Sequence, residues 1–393
     1  MSDESAETPD APSVSAEDLH DRIRRGERVT LLDVRNRDEF EAWRITGESV
    51  EATQITYAEF MAAKARGDLS AFVADLGLGE PVVAVCPRGE VSATVAADLR
   101  EQGIDARNLA EGMEGWARVY VPREVPGAPD DTTVLQYDRP ASGCLSYLVV
   151  SGDEAAVVDP LRAFADRYVA DAEARGVDLT VAIDTHVHAD HLSGVRRLAS
   201  EAGARAVLPA GAADRGLAYD ATLLGDGDEI RMGEVALTAL AAPGHTTELT
   251  ALRLGDVLFS GDALFTDSFG RPDLERGDEG ARDLAGTLYD TLRDRLLALP
   301  DETLVAPGHR TPESAPNPDE NDTYTAGIAA VRDRLRIPDE KSAFVDRVLD
   351  SLPPRPANYE DIIPVNLGRE SLDDETAFEM ELGPNNCAVA ADD

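Results

Sequence analysis

Short apolar runs alternate with longer segments of mixed polarity along most of this sequence. The runs at residues 29–32, 81–85 and 257–259 have the length and composition of buried strands. Residues 93–102 and 281–299 instead repeat apolar positions at helical spacing, which predicts helices. Because strands and helices alternate, the pattern predicts α/β structure with helices packed on sheets.

A segment rich in proline and charge, residues 122–131, divides the chain. Such composition is typical of a domain boundary, so we predict a linker there. We expect a disordered acidic tail at residues 1–13, a first domain at 14–121 and a second domain at 132–393. The second domain carries an extension from about residue 311.

The histidines are few and clustered. Of six in 393 residues, three lie within 185–191, two follow later glycines, and only His20 lies elsewhere. His186 follows a strand run, in a strand-to-helix loop of the kind that carries chemistry in α/β folds. Asp262 also follows a strand run. Imidazoles with one carboxylate suit zinc, iron or manganese; the alternative is a set of hydrogen-bonded loop histidines.

The series His-x-His-x-Asp-His, Gly-His-Thr, Gly-Asp and Gly-His, which runs from residue 186 to residue 309, resembles the ligand series of the metallo-β-lactamase fold. The resemblance implies an αββα sandwich with a metal at one edge of two packed sheets. It also implies two metal subsites that share one residue. Their ligands would be His186, His188 and His245 in the first, Asp190, His191 and His309 in the second, and Asp262 between them.

In the first domain, Cys86 stands at the end of a predicted strand and before a helix. Backbone N–H groups of the loop 86–92 and the N-terminus of the helix would favour its thiolate form, and Arg88 would add a full positive charge. Such a thiolate is a nucleophile that can carry a sulfur atom. The alternative is a buried structural cysteine.

Three motifs of this domain resemble a single rhodanese domain: residues 31–35, the loop after Cys86, and residues 111–116. The resemblance implies an α/β fold in which Cys86 alternates between thiol and persulfide, with Arg88 near the sulfur that is transferred. Family members commonly carry a basic or hydroxyl residue where this chain has Val91. That departure leaves the sulfur acceptor open.

Within the metal fold, residues 185–194, 261–265, 270–274 and 356–362 resemble the persulfide dioxygenase branch. The resemblance implies one Fe(II) per chain, bound by His186, His245 and Asp262, with open positions for O₂ and a glutathione-type persulfide. The other four residues of the ligand series, His188, Asp190, His191 and His309, would surround these three iron ligands. Arg271 either meets an anionic substrate or holds a turn by a salt bridge.

Two other functions remain open at this point. A glyoxalase II-like thioester hydrolase would use the same seven residues to hold two zinc ions and a bridging hydroxide. A persulfide sensor would use Cys86 as the receiver and keep the metal only for folding. The rhodanese-like domain favours the dioxygenase, because a sulfurtransferase has no evident task beside a thioester hydrolase. Of the other cysteines, Cys144 is predicted to be core and Cys387 has no assigned role.

The charged-residue composition indicates the cellular environment in which the protein works. Acidic residues number 76 against 37 basic ones, and only Lys64 and Lys341 are lysines. With 43% hydrophobic residues, this composition indicates adaptation to a salt-rich cytoplasm rather than disorder; an ordinary acidic protein is the alternative. A protein with a net charge of −39 is not expected to bind nucleic acid. Assembly into a homo-oligomer is left open. We expect a cytoplasmic enzyme for three reasons. The three cysteines are widely spaced, the first residues do not resemble a signal peptide, and each apolar run is too short to span a membrane.

Overall fold

The structure is a computed structural model that describes residues 11–356, 358–383 and 387–389. The chain forms two compact units. The first takes in the described residues up to Tyr120 and also Arg139–Ser142, and the second takes in Val121–Asp138 and nearly all of the chain from Gly143 onward.

The first unit is built on a five-stranded sheet in the order β1-β5-β4-β2-β3. All four strand pairings are parallel, as the alternation of strands and helices predicts. The strands are β1 (Ser13–Val14), β2 (Val29–Asp33), β3 (Val50–Gln54), β4 (Val82–Val85) and β5 (Ala106–Leu109). The helices are α1 (Ala16–Arg24), α2 (Arg37–Ala42), α3 (Tyr57–Arg66), α4 (Leu69–Leu76), α5 (Glu90–Glu101) and α6 (Gly112–Ala117).

Local sequence explains where these elements begin. The Ser15 side chain accepts the Asp18 N–H at 3.0 Å and caps α1. Thr56 and Glu59 form a capping box at the start of α3. Every residue of β4 is buried, so the central strand delivers Cys86 at its carboxyl end directly in front of α5.

The second unit contains two sheets that pack face to face. The seven-stranded sheet, ordered β12-β11-β10-β9-β8-β7-β6, comprises β6 (Val121–Val125), β7 (Thr132–Asp138), β8 (Leu145–Ser151), β9 (Glu154–Val158), β10 (Asp178–Ile183), β11 (Arg205–Pro209) and β12 (Thr222–Leu224). The six-stranded sheet, β13 to β18 in order, comprises β13 (Glu229–Met232), β14 (Val235–Ala241), β15 (Thr250–Leu254), β16 (Val257–Gly261), β17 (Leu304–Pro307) and β18 (Ala326–Gly327). The core between them includes Val158 and Ile183 from one sheet and Leu252 and Phe259 from the other.

Helices cover the outer face of each sheet. The helices of this unit are α7 (Ala165–Glu173), α8 (Val195–Glu201), α9 (Gly277–Thr291), α10 (Ile328–Leu335), α11 (Lys341–Asp350), α12 (Tyr359–Asn366) and α13 (Asp374–Met380), of which α12 and α13 share a buried cluster with Leu192. Helices α7 and α8 contact the seven-stranded sheet, while α9, α10 and α11 share a buried cluster with the six-stranded sheet. The result is the predicted αββα layering. In the described part of the chain, no helix is long and apolar enough to cross a membrane.

Two boundary predictions need correction. Residues 122–131 are not wholly a linker, because Val121–Val125 forms β6 and pairs antiparallel with β7. Pro122 is tolerated there since β6 is the last strand of its sheet, where one N–H needs no ladder partner. Most of the predicted tail, residues 1–10, lies outside the described residues, but Ser13 belongs to β1 and pairs with Asn108.

Candidate metal centre and sulfur-carrying loop

The loop that carries three histidines follows β10, and buried polar contacts fix its path. Asp159, just after β9, accepts the Thr185 N–H at 2.6 Å and the Thr185 hydroxyl at 2.9 Å. At the far end of the loop, the Asn366 amide donates to the carbonyl oxygens of His188 and His191, at 3.0 and 2.8 Å. These contacts hold the loop backbone in one conformation, so its side chains need not order when a ligand binds.

His186, His245 and Asp262 converge from three different strand ends. The Oδ2 atom of Asp262 lies 3.9 Å from His186 Nε2 and 3.8 Å from His245 Nε2. All three side chains are at most 1% exposed. Two imidazole nitrogens and one carboxylate oxygen, all within 4.8 Å of one another, are the donor set typical of non-haem iron.

Hydrogen bonds on the outer side of each ring select the nitrogen that faces inward. His186 Nδ1 lies 3.0 Å from Thr185 Oγ1, whose own proton goes to Asp159. His245 Nδ1 lies 2.7 Å from the Arg271 carbonyl oxygen, which only accepts. Both rings therefore carry their proton on Nδ1 and direct a bare Nε2 toward Asp262.

His309 joins the two carboxylates of the site. Its Nδ1 lies 2.6 Å from Asp262 Oδ1 and its Nε2 lies 2.9 Å from Asp190 Oδ2. Burial alone would lower the pKa of His309, but the charges of Asp262 and Asp190 raise it well above its usual range. The ring donates on both sides as an imidazolium and leaves Asp262 Oδ2 to face the two other histidines.

Around Asp190 lies a second group that contains a thiol. His191 Nδ1 is 3.0 Å from Asp190 Oδ2, and Cys144 Sγ is 3.6 Å from the same oxygen. Ligand atoms of Cys144, Asp190, His191 and His309 all lie within 4.8 Å of one another. Burial would raise the pKa of Cys144, but the positive charge of His309 and a hydrogen bond from His191 lower it to about 6.

His188 contacts two acidic residues that are not part of the predicted ligand series. Its Nε2 lies 3.3 Å from Asp159 Oδ1 and 3.6 Å from Asp184 Oδ1. Burial and the positive charge of His191 would lower the pKa of His188, yet these carboxylates raise it to about 9. The sequence reasoning assigned no role to Asp159 or Asp184, although both directly follow buried strands, which is the available signal.

Unsatisfied buried atoms test whether a metal fits. Within the described residues, His186 Nε2 and Asp262 Oδ2 are buried and have no hydrogen-bond partner. Such atoms carry a free-energy cost unless a cation accepts their lone pairs. The donor set at His186, His245 and Asp262 therefore fits a divalent metal, with the charge of Asp262 offsetting part of the metal charge.

In the first unit, three donors surround the Cys86 sulfur. The N–H groups of Gly89 and Ser92 lie 3.1 and 3.3 Å from Sγ, and the Ser92 hydroxyl lies 3.0 Å from it. Gly89 has a φ of 96°, and a Cβ there would approach Glu111 N to 2.9 Å, so only glycine closes this loop without strain. The arrangement supports negative charge on the sulfur.

The other residues of the loop around Cys86 differ in their exposure to solvent. Ser92 is buried with its hydroxyl on the Cys86 sulfur, whereas Val91, one position earlier, is exposed. Asn108 Oδ1 lies 2.7 Å from Ser92 Oγ and accepts from the same hydroxyl, so the single Ser92 proton is shared between this amide oxygen and the Cys86 sulfur. The Arg88 guanidinium pairs with Glu114 at 2.6 Å and is 60% exposed, so it lies at the surface with its charge partly balanced.

Arg271, the second predicted substrate contact, is held within the fold. Its guanidinium makes two bonds to the Asp273 carboxylate, at 2.7 and 2.9 Å, and one to the Pro354 carbonyl oxygen at 2.8 Å. The side chain is 1% exposed. This geometry matches the salt-bridged turn rather than a guanidinium open to an anionic substrate.

Comparison with known proteins bears on both units. Family models match residues 15–119 as a Rhodanese-like domain and residues 139–309 as the Metallo-beta-lactamase superfamily. The human mitochondrial persulfide dioxygenase ETHE1 is 34% identical over 190 residues, 47% of this chain and 69% of the human protein. The chain belongs to the metallo-beta-lactamase superfamily. A rhodanese-like domain precedes the superfamily domain, so the predicted fusion is confirmed.

The chain is also similar in sequence or structure to other proteins of the superfamily. Hydroxyacylglutathione hydrolase from Rhodospirillum rubrum is 35% identical over 156 residues, 39% of this chain and 56% of that protein. The crystal structure of ETHE1 from Myxococcus xanthus is 28% identical with a TM-score of 0.51, and it covers 63% of this chain and 99% of its own. The chain is thus a metallo-beta-lactamase-fold protein with persulfide dioxygenase relatives and hydrolase relatives.

Proposed function

We propose that this chain is an iron-dependent persulfide dioxygenase that oxidises the terminal sulfur of a low-molecular-weight thiol persulfide to sulfite. One observation carries the proposal. His186, His245 and Asp262 present two bare nitrogens and one carboxylate oxygen, while the other histidines of the ligand series, His188, His191 and His309, each contact a carboxylate. A single metal with open positions suits this geometry, and one iron with two histidines and a carboxylate suits O₂ chemistry.

The overall reaction consumes one persulfide, one O₂ and one water, and it yields the thiol, sulfite and two protons. Iron bound by the three residues would supply the redox chemistry between O₂ and sulfur. The protein contributes the fixed tautomers of His186 and His245, through Thr185 and the Arg271 carbonyl. His309 donates a hydrogen bond to Asp262 and another to Asp190, which keeps the Asp262 carboxylate turned toward His186 and His245.

The rhodanese-like domain adds a compatible second step. A persulfide on Cys86 would pass its outer sulfur to sulfite, which gives thiosulfate and returns the Cys86 thiolate. The N–H groups of Gly89 and Ser92 and the Ser92 hydroxyl lie against Cys86 Sγ and would support the negative charge that it gains as the thiolate when the outer sulfur leaves. Coupling the two reactions would remove the sulfite that the metal centre forms, in sulfide detoxification.

The first test is oxygen uptake by anaerobically purified, Fe(II)-loaded protein in high salt after addition of a low-molecular-weight persulfide. We expect uptake with formation of sulfite, loss of uptake in His186→Ala, and retention in Cys86→Ser. Absence of uptake from fully iron-loaded protein would contradict the dioxygenase. Unchanged function in a folded Asp262→Ala protein would favour a sensor instead.

A second candidate is a thioester hydrolase with two zinc ions. The buried His188 Nδ1, which lacks a hydrogen-bond partner among the described residues, and the hydrolase relatives favour it. The zinc-loaded protein would then hydrolyse a glutathione thioester and bind two metals per chain. Metal stoichiometry by elemental analysis, measured beside hydrolysis and oxygen uptake, separates the two functions.

A further inference from the structure

Asn108, whose amide oxygen shares the Ser92 proton, is fixed within the five-stranded sheet. It lies on β5 and pairs with Ser13 of β1 on one side and with Ala84 of β4 on the other. Side chains of directly paired residues lie on the same face of a sheet, and every second residue of a strand returns to that face. Cys86 comes two positions after Ala84 and shares a buried cluster with it. Sheet register therefore brings the Asn108 side chain next to the loop that carries Cys86.

The Ser92 hydroxyl has one proton and three acceptors within reach. Asn108 Oδ1 lies 2.7 Å and Cys86 Sγ lies 3.0 Å from Ser92 Oγ. The Gly89 carbonyl oxygen is the most distant of the three, at 3.3 Å. Asn108 Nδ2 donates to Ser13 Oγ at 3.5 Å, which leaves the amide oxygen directed at Ser92. Because Ser92 is 0% exposed, its hydroxyl must find its partner within the protein.

The charge on the Cys86 sulfur decides which acceptor takes this proton. A thiolate carries a full negative charge on Sγ, and a hydrogen bond to a charged acceptor is roughly twice as strong as a neutral one. In the persulfide, Sγ is a neutral sulfur and therefore a weak acceptor, while the charge lies on the outer sulfur. The outer sulfur must face the exposed side of the loop, where Arg88 and Val91 lie, so that an acceptor can reach it. The Ser92 proton consequently turns to Cys86 in the thiolate and to Asn108 in the persulfide.

We propose that Asn108 is a positioning residue for sulfur transfer, which holds the Ser92 hydroxyl while Cys86 is a persulfide and releases it when the thiolate returns. The inference rests on the proposed sulfur-carrying role of Cys86. In the transfer, the outer sulfur forms a bond to sulfite as its bond to Sγ breaks, and Sγ keeps the electron pair of that bond. A rotation of the Ser92 O–H bond then supplies a donor to the charge that appears on Sγ, and the hydroxyl has a partner in both states.

Asn108 consequently sets the balance between the two states of Cys86. Without the amide oxygen, the Ser92 hydroxyl of the persulfide state has only the more distant Gly89 carbonyl oxygen as acceptor, whereas the thiolate state keeps its hydrogen bond. Loss of the amide oxygen therefore destabilises the persulfide alone. We expect the equilibrium between persulfide plus sulfite and thiolate plus thiosulfate to move toward the thiolate by about fivefold or more, the effect of leaving a buried hydroxyl poorly satisfied.

The test measures this equilibrium in the full-length protein. Protein is incubated anaerobically at a series of thiosulfate-to-sulfite ratios, and intact-protein mass spectrometry after acid quenching gives the fraction of chains that carry one added sulfur. We expect Asn108→Leu to raise the ratio at which half of the chains are loaded by about fivefold or more. Cys86→Ser should gain no sulfur, which assigns the added atom to Cys86.

Ser92→Ala provides the matched background. It should lower the half-loading ratio, because the thiolate then loses a donor, so the two single variants shift the equilibrium in opposite directions. Since Asn108 acts through the Ser92 hydroxyl, adding Asn108→Leu to Ser92→Ala should change nothing further. An unshifted ratio in Asn108→Leu, or an equal shift with and without the Ser92 hydroxyl, would overturn the inference. Asn108→Ala takes the place of Asn108→Leu if circular dichroism shows that leucine disturbs the fold.

Failure of the proposed transfer to sulfite gives a different result. Wild-type protein that gains no sulfur from thiosulfate would reject that reaction, and the half-loading ratio is then measured with glutathione persulfide against glutathione. The same shift in Asn108→Leu under those conditions would leave the role of Asn108 standing. A wild-type Cys86 that gains sulfur from neither donor would overturn both proposals, because each requires a persulfide at this position.

Discussion

His309 donates to Asp262 across 2.6 Å, while its other ring nitrogen donates to Asp190. The ring thus serves the metal centre by holding a carboxylate. We expect His309→Ala to weaken metal binding about 10–100-fold, the usual range for a partner of a metal ligand, while one metal still binds per chain. Isothermal titration with Co(II) measures both quantities.

His245→Ala is the comparison for that experiment, because His245 contributes a ligand atom itself and its loss should remove high-affinity binding. A drop from two metals to one in His309→Ala would mean that His309 is a ligand of a second metal. That outcome would favour the hydrolase.

Thr185→Val tests the selection of the His186 tautomer. Valine has the shape of threonine but leaves His186 Nδ1 without its acceptor and Asp159 without one donor. We expect metal affinity to fall roughly tenfold, with a loss of stability of about 1–3 kcal/mol from the unsatisfied buried groups. Metal titration and urea unfolding measure the two effects.

Thr180→Val is the matched control, since Thr180 lies on the same strand, β10, and its hydroxyl bonds only weakly to Ala155 at 3.4 Å. Equal losses of metal affinity in both variants would show that the effect is general to the strand and not due to the His186 tautomer.

Ser92→Ala removes a side-chain donor that lies 3.0 Å from the Cys86 sulfur. Hydrogen bonds to charged groups contribute about 1.5–3 kcal/mol, so we expect sulfur transfer from thiosulfate to fall at least about tenfold. Cys86→Ser should abolish it. Thr94→Ala is a suitable control, because Thr94 is half-buried on the same helix, α5, and its hydroxyl bonds to the Glu90 carbonyl oxygen. A Ser92→Ala rate equal to that of Thr94→Ala would remove Ser92 from the sulfur-carrying machinery.

The sequence predicted much of the fold because its signals are local. Apolar runs locate the strands, and scarce histidines after such runs locate the metal loop at His186. Contacts between distant residues were missed: Asp159 reaches Thr185 over 26 positions and Asn366 reaches His191 over 175. Nothing near Asp159 or Asn366 in the chain indicates which loop each will meet.

The cysteines illustrate the same limit. Cys144 was expected in the core and is buried, but pairing of its backbone with His309 also places its thiol beside Asp190. Cys387 had no assigned role because only the pairing of Ala388 with Gly270 brings it near Asp262. Proline-rich composition at 122–131 predicted a linker, yet an edge strand tolerates Pro122.

Surface charge predicts a dependence on salt. With a net charge of −39, self-repulsion opposes the compact state, and screening shortens its range from about 8 Å at physiological salt to about 3 Å at 1 M. We expect the urea midpoint of unfolding to rise steadily with KCl. A control series in sucrose separates screening from general solvent exclusion, and a midpoint independent of KCl would contradict adaptation to a salt-rich cytoplasm.

Arg271 and Asp273 form a buried pair whose removal separates a structural role from a substrate role. Arg271→Met leaves Asp273 buried with only Arg355 as an ionic partner, so we expect a loss of about 3–5 kcal/mol in unfolding free energy. Asp273→Asn should cause a comparable loss. A raised KM for persulfide with unchanged stability would instead indicate that Arg271 binds substrate.

Acid titration gives the same pair an independent readout. Burial would raise the pKa of Asp273, but its hydrogen bonds with Arg271 and Arg355 lower it below the ordinary value of 3.8. A lowered pKa in the folded state stabilises the protein above the unfolded-state pKa, and that contribution disappears as pH falls through the folded value. Asp273→Asn should therefore flatten the decline of unfolding free energy below about pH 4, measured by urea titration at constant KCl. An unchanged decline would show that other carboxylates cause it.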